Sequence, residues 1–270
     1  MIESPGISPL LALAGIGLLA AVAQWAAWRV RLPAILFLLI FGILVGPVAG
    51  LLDPDALFGD LLFPIISLSV AVILFEGALT LKLSELKEIG STVRNLVTIG
   101  ALITWVITSV IAHLAIGFDY DMAFLFGAMV VVTGPTVIVP MLRTVRPVKR
   151  VADILRWEGI IIDPIGALLA VLAFDFYMAS QSSDVFIDIL GLFLKVVGIG
   201  AGIGIIFGFG LSHILRKHWL PEYLRSPFTL LMVFVAFALS ETMLHESGLL
   251  AVTIFGRSEE RRVGKECRSR

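Results

Sequence analysis

Residues Trp157–Phe174 read WEGIIIDPIGALLAVLAF, the middle of an apolar run from Val151 to Phe176 that is long enough to cross a bilayer. At about 1.5 Å rise per residue, Asp163 falls near the bilayer midplane. A charge there costs at least ~2.5–3.5 kcal/mol on the insertion scale, where Leu or Ile would be less costly. Gly159, Asp163, Gly166, Ala167 and Ala170 follow one another at steps of three and four. They therefore share one helix face, small except for the acid, and small faces let helices approach closely in lipid. Asp163 is expected to point into a protein contact. It could be a structural acid paired to a base, but the positions one turn away are Gly159, Ile160, Gly166 and Ala167, none of them basic. The favoured reading is an ion and proton carrier. Deprotonated, Asp163 can hold a small cation (Na+ or K+); protonated, it cannot.

The preceding apolar run carries a second oddity. It reads FLFGAMVVVTGPTVIVPML over Phe124–Leu142, with Thr133-Gly134-Pro135-Thr136 at its centre. Pro135 lacks an N–H and disfavours helical geometry at Gly134. Carbonyls freed near residues 131–134 need partners, which the Thr133 and Thr136 hydroxyls, water or a cation can supply. Alone this could be an ordinary proline kink. Beside Asp163 at matching depth, an ion site on a broken helix is favoured, with half-helix ends placing partial charges on it. Two further acids carry weaker signals. Glu158, about a turn and a half to the cytoplasmic side of Asp163, could line an inner vestibule, but a structural role is favoured. Glu76, near the cytoplasmic end of the third span, is structural or vestibular. Glu241, His245 and Glu246 fall around an outer turn and are expected to be solvated.

Composition sets the class. The chain has 270 residues, 59% hydrophobic and 15% charged, with mean hydropathy +1.02. A soluble domain is about 45–50% apolar and about 25% charged. The apolar stretches are continuous rather than alternating, so this is an all-α membrane protein and not a β-barrel. Spans are predicted at 7–28, 33–52, 60–80, 93–116, 121–142, 151–176, 186–214 and 226–244, with a ninth starting near 247. Basic connections (Arg29 and Arg31; Lys82, Lys87 and Arg94; Arg143 to Arg150; Arg216 to Arg225) alternate with acidic ones (Asp53 to Asp60; Asp119 and Asp121; Asp184). The basic sides are then cytoplasmic and the N-terminus is outside. The start MIESPGISPL has no basic n-region, so the first span is not expected to be a cleaved signal. The tail Arg257–Arg270, RSEERRVGKECRSR, has no apolar period, cuts an apolar run after Gly256 and looks like translated sequencing adapter. It is read as an assembly artefact; without it the chain has net charge −4 and no cysteine. No nucleotide, metal-cluster or nucleic-acid motif is present, no cofactor is expected, and the basic loops are orientation signals.

LFEGALTL (Leu74–Leu81), VVTGPTVIVPMLR (Val131–Arg143) and RWEGIIIDPIGALLAVL (Arg156–Leu172), in this order, resemble bacterial cation/proton antiporters of the NhaP/NHE type. RLPAILFLLIFGILVGP (Arg31–Pro47) does so too, and the resemblance covers essentially residues 7–256. It implies a thirteen-helix fold in which two inverted six-helix repeats with crossed, broken helices flank a linker helix. Residues 1–256 would be a partial sodium/hydrogen exchanger transmembrane domain, the first eight or nine helices, and the full-length protein a homodimer in the lipid bilayer. The resemblance implies that Asp163 binds cation and proton, that Thr133 joins it, and that Glu158 and Glu76 are the motif glutamates. In the family the counterpart of Glu158 pairs with an arginine on a later helix. Many members carry an acid where this chain has Gly134, and Asn or Asp where it has Ile162. One central carboxylate implies electroneutral exchange of one proton per monovalent cation. The alternatives are a channel-like conduit through the same broken helix, or an intramembrane enzyme. The second is disfavoured, since only Asp163 is central and His113 and His213 sit near helix ends without a serine motif.

Overall fold

The computed structural model describes residues 8–82, 85–179, 185–217 and 219–266, and among them every regular element is helical. Asp184 and Cys267 lie outside the described residues, as do the side chains of Pro135 and Thr136. The helices are α1 (Pro9–Val30), α2 (Ala34–Ile43), α3 (Pro54–Phe58), α4 (Leu62–Leu79), α5 (Leu86–Asn95), α6 (Ala101–Ile111), α7 (Tyr120–Val130), α8 (Pro135–Val145), α9 (Lys149–Ala179), α10 (Val185–Arg216), α11 (Glu222–Met243) and α12 (Ser247–Glu266). Among the described residues, six stretches are long and apolar enough to cross a membrane: Pro9–Val30, Pro54–Leu79, Leu86–Ile116, Lys149–Asp175, Gly191–Arg216 and Glu222–Met243. Shorter apolar helices cover Ala34–Val48, Tyr120–Val130 and Ser247–Arg257.

The chain divides into two compact units, residues 1–67 with 139–147 and residues 68–138 with 148–270. In the first, α1 starts with Ser8 Oγ accepting the Leu11 N–H, with Pro9 at the first helical position, where its missing N–H leaves nothing unsatisfied. α1 packs on α2, which widens into a π-helical turn over Leu44–Val48 around Pro47. Asp53 caps α3 by accepting the N–H groups of Asp55 and Ala56.

The second unit holds two buried cores. One joins Ala71 and Phe75 of α4 with α10, α11 and α12 around Leu211, Val233, Phe237, Val252 and Phe255. α10 and α12 touch nearly backbone to backbone: a Cβ on Gly200 would lie 2.8 Å from the Ser247 carbonyl, and one on Gly204 would run into the Ala251 carbonyl. Small residues at the contact are what permit this. The other core joins Ile89 and Val93 of α5 with Val131, Trp157, Ile160 and Ile162. α5 is amphipathic: Ile89 and Val93 are buried, while Lys87, Glu88, Ser91 and Arg94 are exposed. It runs through a π turn (Leu96–Gly100) into α6, so the fourth helical stretch begins at Leu86, well before the expected Val93. α12 likewise stays helical past Gly256 to Glu266, with the Arg257 guanidinium 5.3 Å from the centre of the Trp157 ring.

Candidate ion site

The fifth span is broken where Pro135 requires it. α7 ends at Val130, residues 131–134 leave the helix, and α8 restarts with Pro135 as its first residue. The Gly134 carbonyl accepts the N–H groups of Val137 and Ile138, which starts α8. The C-terminal end of α7 and the N-terminal end of α8 thus flank the four unwound residues, bringing negative and positive partial charge respectively to the break.

The small face of α9 lies against this break. A Cβ on Gly159 would sit 3.3 Å from the Thr133 carbonyl and 2.9 Å from Ile138 Cδ1. A Cβ on Gly166 would run into Val132 Cγ2 and sit 3.3 Å from Val132 Cβ. Two glycines seven residues apart thus touch consecutive residues of the break, and Asp163 lies between them on the same face. Asp163 is half-buried, and among the described residues no group hydrogen-bonds or pairs with its carboxylate. Ile162 beside it is buried in the apolar core instead.

Thr133 Oγ1 donates to Glu158 Oε1 at 2.6 Å. A threonine hydroxyl has one hydrogen and two lone pairs. With the hydrogen committed to Glu158, the lone pairs are left for an electrophile such as a cation. Glu158 is therefore tied to the break, a connection that the expectation of a separate structural or vestibular acid did not foresee. Glu76 is exposed on α4 and makes no hydrogen bond among the described residues. Its neighbour Gly77 faces α9, where a Cβ would lie 3.4 Å from Ile160 Cδ1. Of the expected residues, the structure brings Thr133, Gly134, Glu158 and the α9 face bearing Asp163 together, and leaves Glu76 to one side.

Two polar contacts were not anticipated. The Trp157 indole N–H donates to Glu85 Oε2 at 3.2 Å. At the turn between α11 and α12, only His245 is fully solvated. Glu241 is partly buried, its Oε1 accepting the Glu246 N–H and its Oε2 the Gly248 N–H. Glu246 is half-buried, and burial, reinforced by the nearby Glu241 charge and opposed by His245, raises its carboxyl above the usual range.

An interrupted helix facing an acid-bearing helix, in a chain of helices long and apolar enough to cross a bilayer, defines a multi-pass membrane protein. The chain belongs to the sodium/hydrogen exchanger family: residues 17–258 match the family described as "Sodium/hydrogen exchanger, transmembrane". Its fold is similar to that of the sodium proton antiporter MjNhaP1 from Methanocaldococcus jannaschii at pH 8, with TM-score 0.75 and 26% identity, covering 96% of this chain and 64% of that one. Among curated relatives, Na(+)/H(+) antiporter 1 of Methanocaldococcus jannaschii is 28% identical over 213 residues, 77% of this chain and 48% of the relative. K(+)/H(+) antiporter NhaP of Alkalimonas amylolytica is 25% identical over 250 residues, 92% of this chain and 43% of the relative. The chain spans about half the length of the curated relatives it matches.

Proposed function

We propose that this chain carries the ion-binding half of a secondary antiporter that exchanges protons for Na+ or K+ across the plasma membrane. The observation that carries the reading is the α9 face Gly159–Asp163–Gly166 seated on the unwound residues Val132 and Thr133. Asp163 shares this face, and the Thr133 carbonyl beside Gly159 together with the Thr133 hydroxyl supports the reading, since hard oxygen donors are what a small monovalent cation requires. Asp163 alternately holds proton and cation. Because one group serves both, the cation leaves only as the proton arrives, and exchange is obligatory when the bare carboxylate does not cross. Thr133 supplies a neutral oxygen, oriented by Glu158. One carboxylate cycling between one proton and one cation moves no net charge. The protein works as a homodimer with its N-terminus outside.

One relative is named for sodium and the other for potassium, so the assay uses both. Everted vesicles carrying the full-length gene are loaded with a pH-sensitive dye and challenged with either cation. Asp163→Asn abolishes cation-driven proton movement, and imposed voltage leaves the wild-type rate nearly unchanged. Wild-type exchange in Asp163→Asn would remove Asp163 from the centre of the mechanism. Steep voltage dependence would refute the one-to-one ratio, and cation flux uncoupled from pH would favour a channel-like conduit.

A further inference from the structure

Trp157 and Glu158 are consecutive on α9 and are held on two different sides. Glu158 accepts from Thr133 of the break. Trp157 is fully buried, packed with Ile89 and Val93 of α5, with Val131 at the edge of the break, and with Ile160. Its indole N–H is the one polar atom of the side chain, and leaving such a donor unpaired in an apolar core is unfavourable. The partner is Glu85, at 3.2 Å. Glu85 stands immediately before α5, where a side chain commonly caps the helix, yet it makes no cap hydrogen bond to α5. Its carboxylate reaches across to α9 instead, 72 residues away in sequence.

We propose that Glu85 is a positioning residue for the cation site, acting through Trp157. The α4–α5 connection thereby fixes how the inner half of α9 seats against the break, and so the alignment of the Thr133 hydroxyl with Glu158. Glu85 touches neither ion. What it sets is the rotation and depth of α9 at Trp157, and Glu158, the next residue, inherits that setting. Releasing the indole removes the hydrogen bond on the α5 side of α9 and leaves at that level the Arg257 guanidinium over the Trp157 ring and the Thr133–Glu158 bond, so α9 can turn within the apolar core. The Thr133–Glu158 pair then loses its alignment, and the threonine oxygen its aim.

The inference rests on the proposed antiport, and the test separates the two. In the full-length protein, Glu85→Leu and Trp157→Phe each raise the cation KM by about three- to tenfold, the size of one hydrogen bond. The maximal rate per folded molecule stays near wild type. Glu85→Gln keeps an acceptor oxygen and stays within about twofold of wild type, while the Glu85→Leu/Trp157→Phe double variant is no worse than either single one, as expected of two ends of one bond. The same ordering is read without turnover, as the sodium concentration that half-saturates the rise in melting temperature. Wild-type protein that shows this rise but no exchange would overturn the antiport and leave the positioning role standing or falling on the melting data. An unchanged KM and unchanged sodium midpoint in both single variants would overturn the positioning role. So would Glu85→Gln as impaired as Glu85→Leu, or additive effects in the double variant.

Discussion

Gly166→Ala adds one methyl group where α9 meets the break. The new Cβ would run into Val132 Cγ2 and sit 3.3 Å from Val132 Cβ and 3.7 Å from its Cα. Valine is stiff at χ1, so its methyl cannot swing aside freely. The backbone of residue 132 is the softer element, since it lies outside the helical hydrogen-bond ladder. Overpacking of this kind costs about 1–3 kcal/mol. Alanine is preferred over glycine inside a helix by about 0.8–1.0 kcal/mol, which offsets part of it. The net loss of stability is therefore small, about 0–2 kcal/mol. The effect on exchange is larger, because the strain is relieved by moving Val132 and with it Thr133. A misplacement approaching 1 Å costs about 100-fold in a positioned site, so we expect a loss of about 10- to 100-fold. Gly198→Ala on α10 is the control: a Cβ there meets nothing within 4 Å. It should hold or raise the melting temperature and leave exchange unchanged. Purified protein is melted in detergent, and vesicles are assayed for cation-driven proton movement at matched protein level. Gly166→Ala with wild-type exchange would refute the seating of α9 on the break as the basis of the site. Equal damage from Gly198→Ala would do the same.

Two further outcomes test parts of this account. Thr133→Val keeps the shape but removes the oxygen, and should raise the cation KM by about 10- to 100-fold, while Thr133→Ser stays near wild type; equal KM values in all three proteins would exclude the hydroxyl as a ligand. Glu246 has its carboxyl raised by burial, so the folded protein holds that proton more tightly than the unfolded chain. Its contribution to stability is full in acid and is lost as pH rises through the raised value. Glu246→Gln should therefore melt higher than wild type near neutral pH, with the gap closing toward acid, and a gap independent of pH would contradict the burial of this group.

What could be read from the sequence, and what could not, divides along one physical line. The break at residues 131–134 was legible because proline removes a donor and restricts the residue before it, whatever surrounds them. Asp163 was legible because a carboxylate among Ile and Leu residues has no local partner, and Gly159 and Gly166 because only small residues let a backbone come so close. The bond from Thr133 to Glu158 was not legible. Counting residues matches depths only while both helices rise by about 1.5 Å each, and an unwound stretch can extend at about 3.3 Å per residue. Thr133 lies in such a stretch, so its level against α9 does not follow from its number.

The same line explains the other differences. α5 was missed over Leu86–Asn95 because its exposed face is charged, and a reading of mean hydropathy takes Lys87, Glu88 and Arg94 for a loop. Its period of buried positions, Ile89 and Val93, continuing to Val97 in the π turn, is helical all the same. Glu85 gave no signal at all, since an acid in a connection is satisfied by water. The other end of its bond gave none either, since Trp157 has Asp153 one turn before it and Glu158 next to it, and its indole N–H called for no distant partner. A residue announces itself in a sequence when its chemistry is unsatisfied locally. Asp163 remains unpaired among the described residues in the folded chain as well, and that is why we propose it, rather than the better-bonded Glu158, as the group that exchanges a proton for a cation.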